Sequence, residues 1–129
     1  MPWVLAALLA CHTGSPDIAQ RVVVSATRYQ VAHSIVLAVA VRESGLHSRS
    51  VLGYNGCKTT QSCIDNGTRR LRDLYAQNHN DWATALDVYH GRGRRDGYAT
   101  RVLETAELIA RNAHRLHTAR KLSVARRHK

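Results

Sequence analysis

Residues 35–46 read Ile-Val-Leu-Ala-Val-Ala-Val-Arg-Glu-Ser-Gly-Leu, and the fold is organised around them. The first seven are all apolar, which is typical of a helix buried on most of its surface. Gly45 is expected to end that helix, because glycine adopts the left-handed conformation of a C-cap without steric cost. Glu43 is therefore predicted to lie in the last turn, where the helix leaves the core.

Glu43 is a candidate catalytic acid. Burial disfavours the charged carboxylate, and so does the negative end of a helix dipole, so both effects are predicted to raise its pKa. A carboxyl that is still protonated near neutral pH can give a proton to a leaving oxygen. The alternative is an ordinary solvated glutamate at a helix end, as most glutamates are.

The chain is short and strongly basic. Its 129 residues are enough for one domain with one core. The 19 Lys and Arg against nine Asp and Glu give a net charge of +10. Such a charge favours polyanionic partners, whether nucleic acid, anionic lipid or a bacterial wall. From residue 111 to the end there are seven Lys or Arg and no acid, so this segment is predicted to be a basic tail, frayed beyond Thr118.

The N-terminus and the cysteines leave alternatives open. Residues 1–16 form an apolar segment that is either a first helix or a vestigial export or lipoprotein signal with Cys11 as its acylation site. We favour the helix, because the apolar run is short and no Lys or Arg precedes it. No segment is long enough to span a membrane. Cys57 and Cys63 bracket a short polar loop and would form a disulfide in an exported protein, or stay as two free thiols otherwise.

The remaining sequence is mostly helical in its periodicity. One face of a second helix recurs at helical spacing, at Ile18, Val22, Ala26 and Tyr29. Helical patterns return from Ile64, from residues 80–81 to Gly91, and from Tyr98 onwards. We therefore predict a mainly α fold with about five helices around a central apolar helix, and an irregular loop or small hairpin at 45–63. The predicted divisions are the N-terminal segment 1–16, a domain at 17–117 and the tail at 118–129.

Four short motifs occur in one order along the chain. They are Glu43-Ser44-Gly45, Lys58-Thr59-Thr60-Gln61, Val88-Tyr89-His90-Gly91, and Tyr98 followed four residues later by Val102. In this order and spacing, residues 18–103 resemble the soluble-type lytic transglycosylase domain of the lysozyme-like superfamily. The chain departs from that family in two motifs. Only Gln61 is kept of the family's Gly-Leu-Met-Gln, and His90 replaces the asparagine of Ala-Tyr-Asn-Ala-Gly.

The resemblance implies a lysozyme-like fold and a specific reaction. Enzymes of this family cleave the β-1,4 bond between N-acetylmuramic acid and N-acetylglucosamine of peptidoglycan and close a 1,6-anhydro ring without consuming water. One glutamate acts as acid and then base, here Glu43, and no metal or cofactor is needed. In agreement, the sequence has no acid between Glu43 and Asp65.

The resemblance also implies roles for five residues that bind substrate or orient the site. Tyr89 would hold Glu43 by a hydrogen bond, and Ser44 would orient the backbone or sugar beside it. Gln61 would contact sugar from the loop, and Tyr98 would line the groove. His90 would alter the hydrogen bonding of the site.

The predicted partners and location follow from the same resemblance. The protein is expected to be a monomer that acts on glycan strands, with its basic tail on the anionic wall. It would work in the periplasm or outside the cell, including delivery by a phage or a secretion apparatus. Nucleic acid is not an expected partner, because the sequence shows neither a helix-turn-helix signal nor aromatics among its basic residues.

The sequence leaves three alternative functions open. A lysozyme-type muramidase would use Asp65 or Asp87 to position a water molecule. A basic helical protein could instead bind nucleic acid, and a non-catalytic wall-binding protein could keep the groove without turnover.

Overall fold

The computed structural model describes residues 1–12, 14–47, 57–91 and 97–127, and their secondary structure is helical. The prediction of a mainly α fold is confirmed within these ranges. The helices are α1 (Pro2–Ala10), α2 (Pro16–Arg28), α3 (His33–Ser44), α4 (Thr60–Gln77), α5 (Trp82–His90) and α6 (Tyr98–Arg127).

Helix α3 is the most deeply buried element. Residues 36–40 are all completely buried, as expected for a helix that is apolar on every side. The helices packed most closely against it are α6, α2 and α1, whereas α4 packs on α5 and α2, and α5 also packs on α6. The core therefore lies around α3, and its polar C-terminal turn is the part of the helix that faces outward.

The helix termini follow recognisable capping signals. The Ser15 hydroxyl accepts a hydrogen bond from the Ile18 N–H and begins α2, as Asp81 does for α5 with the Ala83 N–H. Helix α4 begins with a capping box in which Thr59 and Ser62 exchange hydrogen bonds.

The capping box corrects one boundary of the sequence prediction. The predicted irregular segment 45–63 is wrong at its end, because residues 60–63 already belong to α4. The rest of the predicted loop or hairpin falls mainly on residues 48–56, which lie outside the described residues.

The first helix, α1, packs along part of the last helix, α6. Helix α1 packs on α6 and α2 and buries Val4, Ala6 and Ala7. Helix α6 continues to Arg127, so the prediction that the tail frays beyond Thr118 is wrong. Ala, Leu, Arg and Lys are strong helix formers and extend the helix without any packing. Every residue from 117 to 127 is exposed. None of the helices described here has the length and apolar character that crossing a bilayer requires.

Contacts at the ends of α1, α3 and α6 show how these three helices run relative to one another. The Trp3 ring packs against His33 at the start of α3, and the Cys11 thiol donates to the Gly45 carbonyl just after its end. Helices α1 and α3 are therefore parallel. Helix α6 runs the opposite way, because Tyr98 at its start meets Glu43 at the end of α3, whereas His117 much further along α6 lines one cavity with Trp3 at the start of α1. We call this end, where α3 stops and α6 begins, the site end.

Candidate active site

Side chains from three helices meet at the site end. The Tyr98 hydroxyl, from the first residue of α6, donates to Oε1 of Glu43 over 3.4 Å. Tyr89, from the last turn of α5, interacts electrostatically with both Glu43 and Tyr98. The structure thus brings one carboxyl and two phenols together from residues far apart in sequence.

The backbone around Glu43 is held from several directions. Gly45 has φ of 62°, in the left-handed region, and its N–H donates to the Val41 carbonyl over 2.9 Å. Its own carbonyl accepts from the Cys11 thiol over 2.9 Å. The Arg42 side chain donates to the Thr105 hydroxyl over 3.0 Å and ties the end of α3 to α6. The position of the Glu43 backbone is therefore fixed by contacts to both α6 and the α1–α2 junction.

Burial of the carboxyl raises the pKa of Glu43 to about 7. The hydrogen bond from Tyr98 acts in the opposite direction, because it stabilises the charged carboxylate. The residue as a whole is exposed, so Glu43 lies at the surface of the site end. Near neutral pH both protonation states are populated, which is the property needed for a group that first gives and then takes a proton.

Tyr89 is the second phenol of the site. Burial raises its pKa, the negative charge of Glu43 and the neighbouring Tyr98 raise it further, and Arg70 on α4 opposes them. The Tyr89 phenol therefore stays protonated and can serve as a hydrogen-bond donor. Arg70 is exposed and places a positive charge beside the site.

His90 adds an aromatic contact to Tyr98. The two rings are stacked, with 4.0 Å between centroids and 7° between planes. Tyr98 is only 6% exposed. Because α5 ends at Gly91 with φ of 78°, His90 lies at the very end of its helix. Residues 89 and 90 therefore both contribute to the surroundings of Glu43.

Ser44 and Gln61, two further residues with predicted roles at the site, make hydrogen bonds within the protein. The Ser44 hydroxyl donates to the Ala40 carbonyl over 3.0 Å, within its own helix. Gln61 lies in the first turn of α4 rather than in a loop. Its amide donates to Asp65 over 3.1 Å and accepts from Arg21 over 3.4 Å. The structure thus places Gln61 on the side of α4 that faces α2, with its amide engaged by Arg21 and Asp65.

Asp65 and Asp87, the two carboxylates that could position a water molecule in a muramidase, have other surroundings than Glu43. Asp65 accepts hydrogen bonds from Ser25 over 2.8 Å and from Gln61, and pairs with Arg28 over 3.3 Å. Its carboxylate is therefore used between α4 and α2. Asp87 lies two residues before Tyr89, which is 200° around the helix, so it projects from nearly the opposite face of α5.

The cysteines divide between a disulfide and a free thiol. Cys57 and Cys63 are bonded, with 5.1 Å between their Cα atoms, and tie the segment before α4 to its first turn. Cys11 is free and contacts Gly45. Within the described residues, no three His, Cys, Asp or Glu side chains are grouped as a metal site would require.

Sequence reasoning missed two neighbours of the site. The contact between Cys11 and Gly45 joins residues 34 positions apart and has no local signal. Arg70 lies three residues after Gly67 and seven after Cys63, so only a correct orientation of α4 could have pointed to it. Comparison with known proteins adds nothing to these assignments, since no family model, curated protein or solved structure matches the chain.

Proposed function

We propose that the protein is a peptidoglycan lytic transglycosylase with Glu43 as its acid and base. The observation that carries the proposal is the Glu43 carboxyl at the end of a buried helix, with a pKa raised to about 7 and a hydrogen bond from Tyr98. The four motifs that resemble the soluble-type family support the choice of substrate and product. With this function we also propose that the helical fold is of the lysozyme-like type.

The reaction needs two proton transfers at one carboxyl. Protonated Glu43 gives its proton to the glycosidic oxygen, and the bond between that oxygen and the muramic acid C1 breaks. The carboxylate then takes the proton of the sugar's own 6-hydroxyl, whose oxygen bonds to C1 and closes the anhydro ring. Glu43 ends protonated, as it began, and no water is consumed. Tyr98 would orient the carboxyl throughout, and Tyr89 would donate to it or to the sugar.

A lysozyme-type muramidase is the second candidate. It would ordinarily need a second carboxylate near the scissile bond, as nucleophile or to activate water. The hydrogen bonds of Asp65 to α2 and the position of Asp87 on another face of α5 favour the single-carboxylate reaction. For this reason we place the lytic transglycosylase reaction ahead of the muramidase reaction.

The basic segment of α6, residues 117–127, is suited to binding an anionic cell wall and lies far from Glu43. From Tyr98 to His117 α6 advances about 28 Å, so the exposed residues 117–127 project from the opposite end of the molecule. We propose that they bind the anionic wall while Glu43 works on the glycan. The disulfide supports a location outside the cytoplasm, in the periplasm or at the wall. A nucleic-acid-binding protein and a non-catalytic wall binder are the alternatives that the test must separate.

The test compares three forms of the protein on purified murein sacculi. Wild type is expected to release soluble fragments, and Glu43→Gln is expected to lose at least about a hundredfold in rate, the usual minimum contribution of an acid–base group. Glu104→Gln is the matched control, because Glu104 is an exposed glutamate on α6. Equal rates for wild type and Glu43→Gln would refute the proposal. No release by wild type, with binding to sacculi or to DNA instead, would favour one of the alternatives.

A further inference from the structure

The stack of His90 on Tyr98 joins two helix ends directly beside Glu43. His90 is the last residue of α5 and Tyr98 is the first of α6. Their rings lie nearly parallel at 4.0 Å, while the Tyr98 hydroxyl donates to Glu43 over 3.4 Å. A chain of contacts therefore runs from the imidazole through the phenol to the carboxyl.

The plane of a tyrosine ring governs the direction of its hydroxyl donor. The phenolic hydrogen prefers the ring plane, because the oxygen is conjugated with the ring. A neighbour stacked flat on the ring fixes that plane and also limits tilting of the ring axis. The bond to Glu43 is long for an O–H donor, so a small reorientation of Tyr98 is enough to break it.

We propose that His90 is a positioning residue, whose ring fixes the orientation of Tyr98 so that the phenol donates to Oε1 of Glu43 and holds this carboxyl ready for proton transfer. The contribution to catalysis rests on the proposed function. The positioning itself does not, because it concerns contacts within the protein. A histidine that merely ends α5 would contribute to stability and leave Glu43 unaffected.

The influence of His90 on Glu43, acting through Tyr98, can be measured separately from that of the other groups around the carboxyl. Besides Tyr98, the titratable and charged groups that act on the site from the described part of the chain include Tyr89 from α5 and, through Tyr89, Arg70 from α4. The hydrogen bond from Tyr98 lowers the pKa of Glu43. Loss of this bond must therefore raise the pH at which Glu43 titrates.

The experiment follows the Glu43 carboxyl by ¹³C NMR during a pH titration of the full, disulfide-bonded chain. His90→Ala is expected to raise the titration midpoint by about 0.5 pH unit, the size expected for loss of a weak hydrogen bond to a charged group. His90→Phe keeps a flat ring and is expected to match wild type. Tyr98→Phe should give the same rise as His90→Ala, with no further rise in the double variant. If the alanine variant does not fold, His90→Asn replaces it.

Several results would overturn the inference. One is a midpoint in His90→Ala that equals the wild-type value while Tyr98→Phe shifts. Another is a His90→Phe variant that shifts as much as His90→Ala, since the imidazole charge rather than the flat ring would then be responsible. A Tyr98→Phe variant without any shift would remove the hydrogen bond on which the inference depends. If the midpoints move as expected but wild type cleaves no glycan, the proposed function fails while the positioning role stands.

Discussion

Replacing Glu43 by glutamine is expected to stabilise the protein at pH 8 while it abolishes glycan cleavage. The pKa of Glu43 is raised by burial from 4.5 to about 7. At pH values between these two pKa values, Glu43 is protonated to a larger extent in the folded protein than in the unfolded chain. The free energy of unfolding therefore falls as the pH rises through this range. Glutamine resembles the protonated acid and carries no such penalty.

The size of the effect follows from the same shift. For a carboxyl without solvent access, the difference between 4.5 and about 7 corresponds to about 3 kcal/mol of unfolding free energy. The Glu43 residue as a whole is exposed, so solvent screening of its partly buried carboxyl reduces that figure. We therefore expect Glu43→Gln to be about 1–2 kcal/mol more stable than wild type at pH 8, and equal to it below pH 4.5.

The assay is urea unfolding of both proteins from pH 4 to pH 8.5 without reductant, so that the disulfide stays closed. Taking the difference between the two proteins cancels the titration of the other acids and the histidines. Glu104→Gln, again the control, should run parallel to wild type at every pH. Parallel curves for wild type and Glu43→Gln would refute the claim that the Glu43 carboxyl is desolvated in the folded protein.

Three further predictions concern the tail, the disulfide and the core. Cutting the chain after Leu116 should weaken binding to sacculi at low salt by about tenfold or more, since it removes exposed cations, and should spare turnover of short soluble glycans. Equal losses in co-sedimentation and turnover would contradict this. Replacing Cys57 and Cys63 together by serine should cost about 2 kcal/mol in urea unfolding, the value expected for a short loop, and no change would argue against a stabilising crosslink. Leu37→Ala should cost about 3 kcal/mol because Leu37 is fully buried, and a loss no larger than that of the exposed Leu122→Ala would contradict the placement of α3.

The parts of the fold that were predictable depend on local signals. The run of apolar residues from 35 to 41 can only be stable when buried, and Gly45 follows it at the position of a C-cap. The sequence therefore located both the central helix and the last turn that carries Glu43. The start of α4 lies earlier than the sequence predicts, because its capping box has Ser62 at N3 instead of the usual Glu or Gln and so lacks the common sequence signature.

The parts that could not be predicted depend on long-range packing. The hydrogen bond between Tyr98 and Glu43 spans 55 positions, and the stack of His90 on Tyr98 depends on how α5 meets α6. Similarly, the sequence pattern of Gln61 gave no sign that its amide would be used by Asp65 and Arg21. Side-chain partners of this kind are set by the packing of whole helices, which periodicity alone does not specify.

In the proposed reaction Glu43 alone carries both proton transfers, and no water is consumed. The most direct test is mass spectrometry of the fragments released from sacculi in H₂¹⁸O by wild type and by Glu43→Gln. We expect anhydro-muropeptides without ¹⁸O from wild type and none from Glu43→Gln. Reducing-end products that carry ¹⁸O would contradict this expectation and would identify a hydrolase instead.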